Sequence, residues 1–166
     1  MGRTRINSIS DETKATILLT TRFGEPKGDL KPLSPAEFRS AQRWLGDRGL
    51  TVGALLTGKH QAAVNAMITE SVGTPLIPSM LERIPKLDRA ISHWAEAGIW
   101  VIGETDDDFP KRLEHKLGST RFPLLFGAGP LDLLNTGGVY IVGSRDSSDS
   151  GLKFSRTFAK RCGEEG

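Results

Sequence analysis

The spacing of apolar positions along the chain changes near residue 98. Before it, apolar residues recur every three or four positions, the period of a helix buried along one face. After it, they come in short continuous runs broken by glycine, proline and acidic residues, the texture of strands alternating with loops and helices. The first helix is expected within residues 11–21, with Ser10 or Asp11 as its cap. The stretch GEPKGDLKP then reads as a loop. SPAEFRSAQRWLGDRG carries the strongest helix signals in the chain. Ser34 is placed to cap it, Pro35 suits the first helical position, and Glu37 completes a capping box. Phe38, Ala41 and Leu45 share one face of that helix, and Gly49 marks its stop. Further short helices are expected within residues 52–56, within 60–71 and in SMLERIPKLDRAISHWAEAG. In the last of these Ile84, Leu87, Ile91 and Trp94 form one stripe, Pro85 breaks or starts a helix, and Gly98 ends it. Short helices joined by glycine turns fit a small helical domain over residues 1–98, of helix-hairpin-helix or SAM-like type.

Beyond residue 98 the runs IWVIG, FPLLFGAG and VYIVG read as strands, KRLEHKLG as a short helix and LDLLNTGG as a helical turn. VYIVG is apolar throughout, and such a strand is buried on both faces, usually in a parallel sheet flanked by helices. The final helix, about residues 152–165, offers Leu152, Ser155, Phe158, Ala159 and Cys162 as cover. The expected fold class is therefore α/β, with a helical domain over 1–98 followed by the beginning of an α/β sandwich over 99–166.

Composition narrows the function classes. A chain of 166 residues is long enough to bury a core. Its net charge of +2 does not by itself argue for nucleic acid or an acidic membrane, so a basic surface must come from local clustering. One cysteine, Cys162, excludes an internal disulfide and suits a reducing cytoplasm. No apolar run approaches the roughly 20 residues of a membrane span, and the polar N-terminus lacks a signal-peptide core. The expectation is a cytoplasmic protein with no membrane partner.

The chemistry concentrates in GSRDSSDSG, residues 143–151, between the VYIVG run and the last helix. Ligands of open α/β sheets sit at the carboxyl ends of strands. Glycines there let a backbone approach an anion, and the N–H groups opening the next helix favour phosphate. Ser144, Ser147, Ser148 and Ser150 each carry a hydroxyl donor, and Arg145 adds a planar, always-charged fork. The loop is neither a Walker A loop nor a Gly-x-Gly-x-x-Gly dinucleotide fingerprint. On these residues alone it reads as well as a solvated connection whose Ser and Asp residues cap a helix.

The order of the pieces extends that reading. Gly98-Ile99, Phe109-Pro110, Leu113, Pro123, Leu125-Phe126, Gly129, Val142-Gly143-Ser144-Arg145 and Gly151 follow the motif order of the DNA-processing protein family, Smf/DprA, which the chain resembles over about residues 75–166. The resemblance implies an extended Rossmann-like fold that binds single-stranded DNA and helps load a RecA-type recombinase during transformation or recombination, without catalysis and without a cofactor. It implies that Gly143, Ser144, Arg145, Ser148 and Gly151 form a phosphate pocket, with Ser147 beside them, and that the DNA sequence is little discriminated. Ser150 stands where the family usually has an aromatic residue. The family's next motif, Ser-Gly-x-Ala-x-Gly-x-Asp, does not occur, so the expectation is a truncated Rossmann-like domain, its dimer surface belonging to a full-length homodimer. Two other functions stay open: a Rossmann-like nucleotide-binding or sensing protein, and a protein-interaction module without nucleic-acid affinity.

The remaining polar residues read more simply. Lys153, Arg156, Lys160 and Arg161 make the last helix basic, which suits either an extension of a DNA track or a solvated face. His60, His93 and His115 lack metal-ligand spacing, and no metal site is expected. Asp106-Asp107-Asp108 reads as an acidic run capping a helix that starts near Pro110. Trp44, Trp94 and Trp100 are able to stack bases, but Trp44 and Trp94 lie on helix stripes and are expected to pack in the core. Cys162 falls on the apolar face of the last helix and is expected to be unreactive there.

Overall fold

A helix that is apolar on nearly every side has to be surrounded, and TILL within residues 16–19 is such a segment. A computed structural model describes residues 9–23, 30–57, 61–70, 77–139 and 141–165. In it α1 (Asp11–Thr20) lies at the centre, with Thr13, Ala15, Thr16, Ile17, Leu18 and Leu19 all buried. Ser10 is its cap, accepting the Thr13 N–H at 3.1 Å. One side of α1 meets α2 (Pro35–Gly46), α3 (Gln61–Thr69) and α4 (Ile77–Leu81) through Ala15, Leu19, Phe38, Leu45, Met67, Ile77 and Met80. The other side, Ile17 and Leu18, meets Phe23 and Leu87 and, beyond them, Trp94, Val101 and Leu124. The second cluster thus joins the helices to the strands.

The capping box of α2 forms as its sequence specifies. Ser34 Oγ accepts the Glu37 N–H at 3.3 Å, and the Glu37 carboxylate accepts the Ser34 N–H at 2.7 Å and its hydroxyl at 2.6 Å. The Ser34 hydroxyl first, then its N–H, hold the Glu37 pKa below the ordinary carboxylate value. Trp44 is buried and donates its Nε1–H to Glu70 at 2.7 Å, with the Arg48 guanidinium 3.7 Å from its ring centre. Residues 52–56 are a 3₁₀ turn, whose Val52 and Gly53 N–H groups donate to the Glu12 carboxylate at 3.1 and 2.6 Å. The helix expected within residues 60–71 is α3, while His60 and Ser71 themselves lie outside the described residues. Pro85 opens α5 (Ile84–Glu96), where its missing N–H costs no hydrogen bond. Gly98, at φ +72°, turns the chain out of α5 into β1 (Ile99–Gly103), a backbone conformation that favours glycine.

β1 pairs with β2 (Leu124–Ala128), Ile99 opposite Ala128 and Gly103 opposite Leu124. The pair is antiparallel, which corrects the parallel sheet expected for these strands. The reason lies in residues 104–123, which include α6 (Lys111–Leu117). They leave and re-enter at one end of the sheet, where the Glu104 N–H donates to Pro123 O at 3.0 Å. A chain returning at the same end must run back antiparallel, whereas a parallel partner needs a crossover to the far end.

Two carboxylates, Asp106 and Glu104, fasten this connection to the helices. Asp106 Oδ1 accepts the Ser10 hydroxyl at 2.6 Å, and Oδ2 accepts the Thr13 hydroxyl at 2.7 Å and the Gly103 N–H at 2.8 Å. A Cβ on Gly103 would overlap the Thr13 hydroxyl. The acidic run therefore ties α1 to the end of β1. It does not cap α6, whose cap position is Pro110 and carries no side-chain acceptor. Glu104, buried, accepts from Arg39 and from Gln42 Nε2 at 2.9 Å. Arg121 Nε lies 3.0 Å from its second oxygen, close enough for an ion pair but off the line of a hydrogen bond. Arg39 also donates to Arg121 O at 2.6 Å.

The packing stops after β2. Residues 131–135 form the expected helical turn, but exposed. Val139, Ile141 and Val142 of the VYIVG run are 64, 43 and 76 % exposed and belong to no strand, and Tyr140 lies outside the described residues. The strand expected here is thereby corrected over its described residues. A lone extended segment has no ladder for its N–H and C=O groups and no face to bury. The last helix, α7 (Asp149–Glu165), forms, but none of its residues is buried. Leu152 and Phe158, expected to cover a sheet, are exposed, and Phe158 stacks on Phe154 with ring centres 6.0 Å apart. Among the described residues, no helix is long and apolar enough to cross a membrane.

Candidate nucleic-acid interface

The loop at residues 143–151 is organised by its own hydroxyls. Ser147 Oγ donates to Ser144 O at 2.6 Å, and Ser144 Oγ accepts the Asp146 N–H at 3.2 Å. These two bonds close a turn with Arg145 at its tip. Ser148 caps α7, its oxygen accepting the Gly151 N–H at 3.3 Å, and it shares a 3.1 Å hydrogen bond with Ser150.

The donors left for a ligand follow by subtraction. The Ser147 proton is engaged on Ser144 O, and one proton of the Ser148–Ser150 pair is engaged between them. The Ser144 proton and one proton of that pair remain. So does the whole Arg145 fork, since the side chain is exposed and has no ion pair or hydrogen bond among the described residues. Gly143 and Gly151 keep this surface low: a Cβ at either would only touch Ser147 or Ser148, at 3.5 and 3.4 Å. Asp146 and Asp149 stand in the same loop and oppose an anion. The cationic fork and the hydroxyls are thus the groups able to take one.

The structure brings Gly143, Ser144, Arg145, Ser147, Ser148 and Gly151 together on one turn and one helix start. Lys153, Arg156 and Lys160 follow at i, i+3 and i+7 along α7, all exposed. Lys160 lies 3.7 Å from Glu164, an exposed pair of small worth.

Two clefts lie elsewhere. One of about 520 Å³ is lined by Ser10, Glu12, Thr51, Thr57, Thr105 and Asp106 among others. Its principal polar groups, Ser10, Glu12 and Asp106, already serve the caps and ties described above. The other, of about 410 Å³, lies between the end of α1 and α5 and carries Arg22, Lys86, Arg89 and His93 around Trp94. Sequence reasoning missed this group. Its signal was present as Lys86, Arg89 and His93 at i, i+3 and i+7, with Trp94 following. Trp94 is not a plain core residue: it is half-buried, set edge-on against Phe23 and Phe126 with ring centres 6.3 and 5.2 Å away.

Residues 100–166 match the family DNA recombination-mediator protein A. Over that stretch the resemblance to the DNA-processing family holds. It spans the strand pair, the Arg145 loop and α7, while the helical half up to residue 99 lies outside the match. No curated protein and no solved structure matches the chain.

Proposed function

We propose that the chain binds single-stranded DNA through the 143–151 turn, as a mediator that passes the strand to a RecA-type recombinase. The observation carrying this reading is Arg145: an exposed guanidinium, unpaired among the described residues, at the tip of a hydroxyl-rich turn within the segment matching a recombination-mediator family. The fork and two hydroxyl protons suit the oxygens of one phosphodiester, and Lys153 and Arg156 suit the next along α7. Phosphate contacts position a strand without reading its bases, so the reading implies binding without catalysis and with little sequence preference. Residues 99–166 are, on this reading, the opening part of a Rossmann-like domain. A second reading, docking of a protein on α7, has the exposed Phe154 and Phe158 in its favour.

The test is anisotropy of a labelled oligonucleotide across a salt series, comparing the chain with Arg145→Ala. The substitution is expected to weaken binding about tenfold or more, from the loss of charge-assisted hydrogen bonds. The log–log salt slope is expected to flatten by about 0.7, one phosphate contact. Unchanged affinity and slope in folded protein refute the loop as the site. Absence of binding to any nucleic acid favours the docking reading.

A further inference from the structure

The cleft between α1 and α5 gathers cations around an indole. Among the described residues, Arg22, Lys86, Arg89 and His93 line it, and no carboxylate does. Cations three residues apart on one helix face repel each other. Arg22 has no ion pair or hydrogen bond among the described residues. Arg89 has one weak tether, Nε to Pro85 O at 3.5 Å, which leaves its terminal nitrogens to a ligand. A cluster of one sign in a concavity focuses positive potential into it.

The aromatic part is equally specific. Phe23 has its face taken by the Arg83 guanidinium, 4.0 Å from the ring centre. Trp94 is half-buried, meets Phe23 and Phe126 in T-shaped contacts, and contributes its ring to the cleft. Cations around a partly open indole match the two faces of a nucleotide, phosphate and base. A volume of about 410 Å³ falls in the range of small-ligand pockets and suits one such unit. A base inside a duplex cannot reach an indole, so the chemistry selects an unpaired strand.

We propose that this cleft is a second nucleic-acid contact, in which Arg22 and Arg89 hold the phosphate of a single strand and Trp94 stacks one base. It stands on the helical half, outside the family match, and does not depend on Arg145.

The test uses the whole chain and a labelled single-stranded oligonucleotide. Arg22→Gln with Arg89→Gln is expected to lower affinity about tenfold and to flatten the salt slope by about 1.4, two contacts at about 0.7 each. The same losses are expected when Arg145→Ala is already present, so that failure of the loop and failure of the cleft are read apart. Photocrosslinking with a 5-iodouracil-containing strand is expected to label Trp94, located by mass spectrometry, with Trp94→Phe losing that label and retaining its fold by circular dichroism. A folded double variant with parental affinity and slope overturns the proposal. So does a strand that labels only residues elsewhere. Equal binding of a duplex overturns the base contact, and abolition of the label by an equimolar mononucleotide overturns the strand as the ligand.

Discussion

Among the described residues, both 9–128 and 129–165 carry apolar side chains, but only the first region buries a set of them completely. In the first region Phe38, Leu18, Leu45, Met67 and Leu87 are almost wholly buried. In the second Val139, Val142, Phe154 and Phe158 are exposed, and α7 buries nothing. Apolar pattern states which face of an element wants cover, and does not supply the cover. The comparison also divides function from stability. The stretch matching the recombination-mediator family ends in the uncovered region, where Arg145 is displayed on a turn held by its own serines. Cohesion comes from α1, which holds helices on one side and strands on the other.

The sharpest way to break this contrast is to truncate one phenylalanine in each region. Phe38→Ala is expected to cost about 3–5 kcal/mol, the range for emptying a buried aromatic site. Phe158→Ala is expected to stay within about 0.5 kcal/mol, as for exposed positions. Urea unfolding followed by circular dichroism reads both. Equal costs would mean that the second region is as well packed as the first.

The seam between helices and strands comes next. Glu104 receives Arg39, Gln42 and Arg121 on one buried carboxylate. Glu104→Gln keeps the shape and removes the charge. The two arginines are 30 and 27 % exposed, so water compensates part of the loss. The expected cost is about 1–3 kcal/mol. A cost near zero in the same urea assay would show that the Glu104 charge adds nothing to the Asp106 ties and to the packing of Val101, Leu124 and Trp94.

Local rules made much of the first region legible in the sequence. Ser10 and Ser34 as caps, the Glu37 box, Pro85 as a helix opener and Gly98 as a stop each depend on a few neighbouring residues. What stayed hidden depends on groups far apart in the chain. Asp106 finds Ser10 and Thr13 across more than ninety positions, and Glu12 caps a turn forty residues away. The antiparallel pairing follows from where residues 104–123 re-enter the sheet, and the VYIVG run reads as a strand only if a neighbour is assumed. The 143–151 loop was visible because its glycines, serines and arginine are contiguous. The Arg22–Trp94 cleft was not, because its first cation and its helix face are more than sixty residues apart.

The smallest effect tests the local rules themselves. Ser34→Ala removes both the acceptor for the Glu37 N–H and a donor to its carboxylate, and is expected to cost about 1 kcal/mol. The pH dependence then has a definite sign. Glu37 titrates lower in the folded chain than in the unfolded one, because only the folded chain presents the Ser34 hydroxyl and N–H to it. Its contribution is therefore fully present above the ordinary carboxylate pKa and is lost as pH falls through the lowered folded value. Glu37→Gln, which cannot ionise, should lose that part of the acid dependence of stability while retaining a neutral acceptor for the Ser34 N–H. A stability profile that falls as steeply in Glu37→Gln as in the parent over the acid range would show that the Ser34–Glu37 box is not the source of the acid sensitivity.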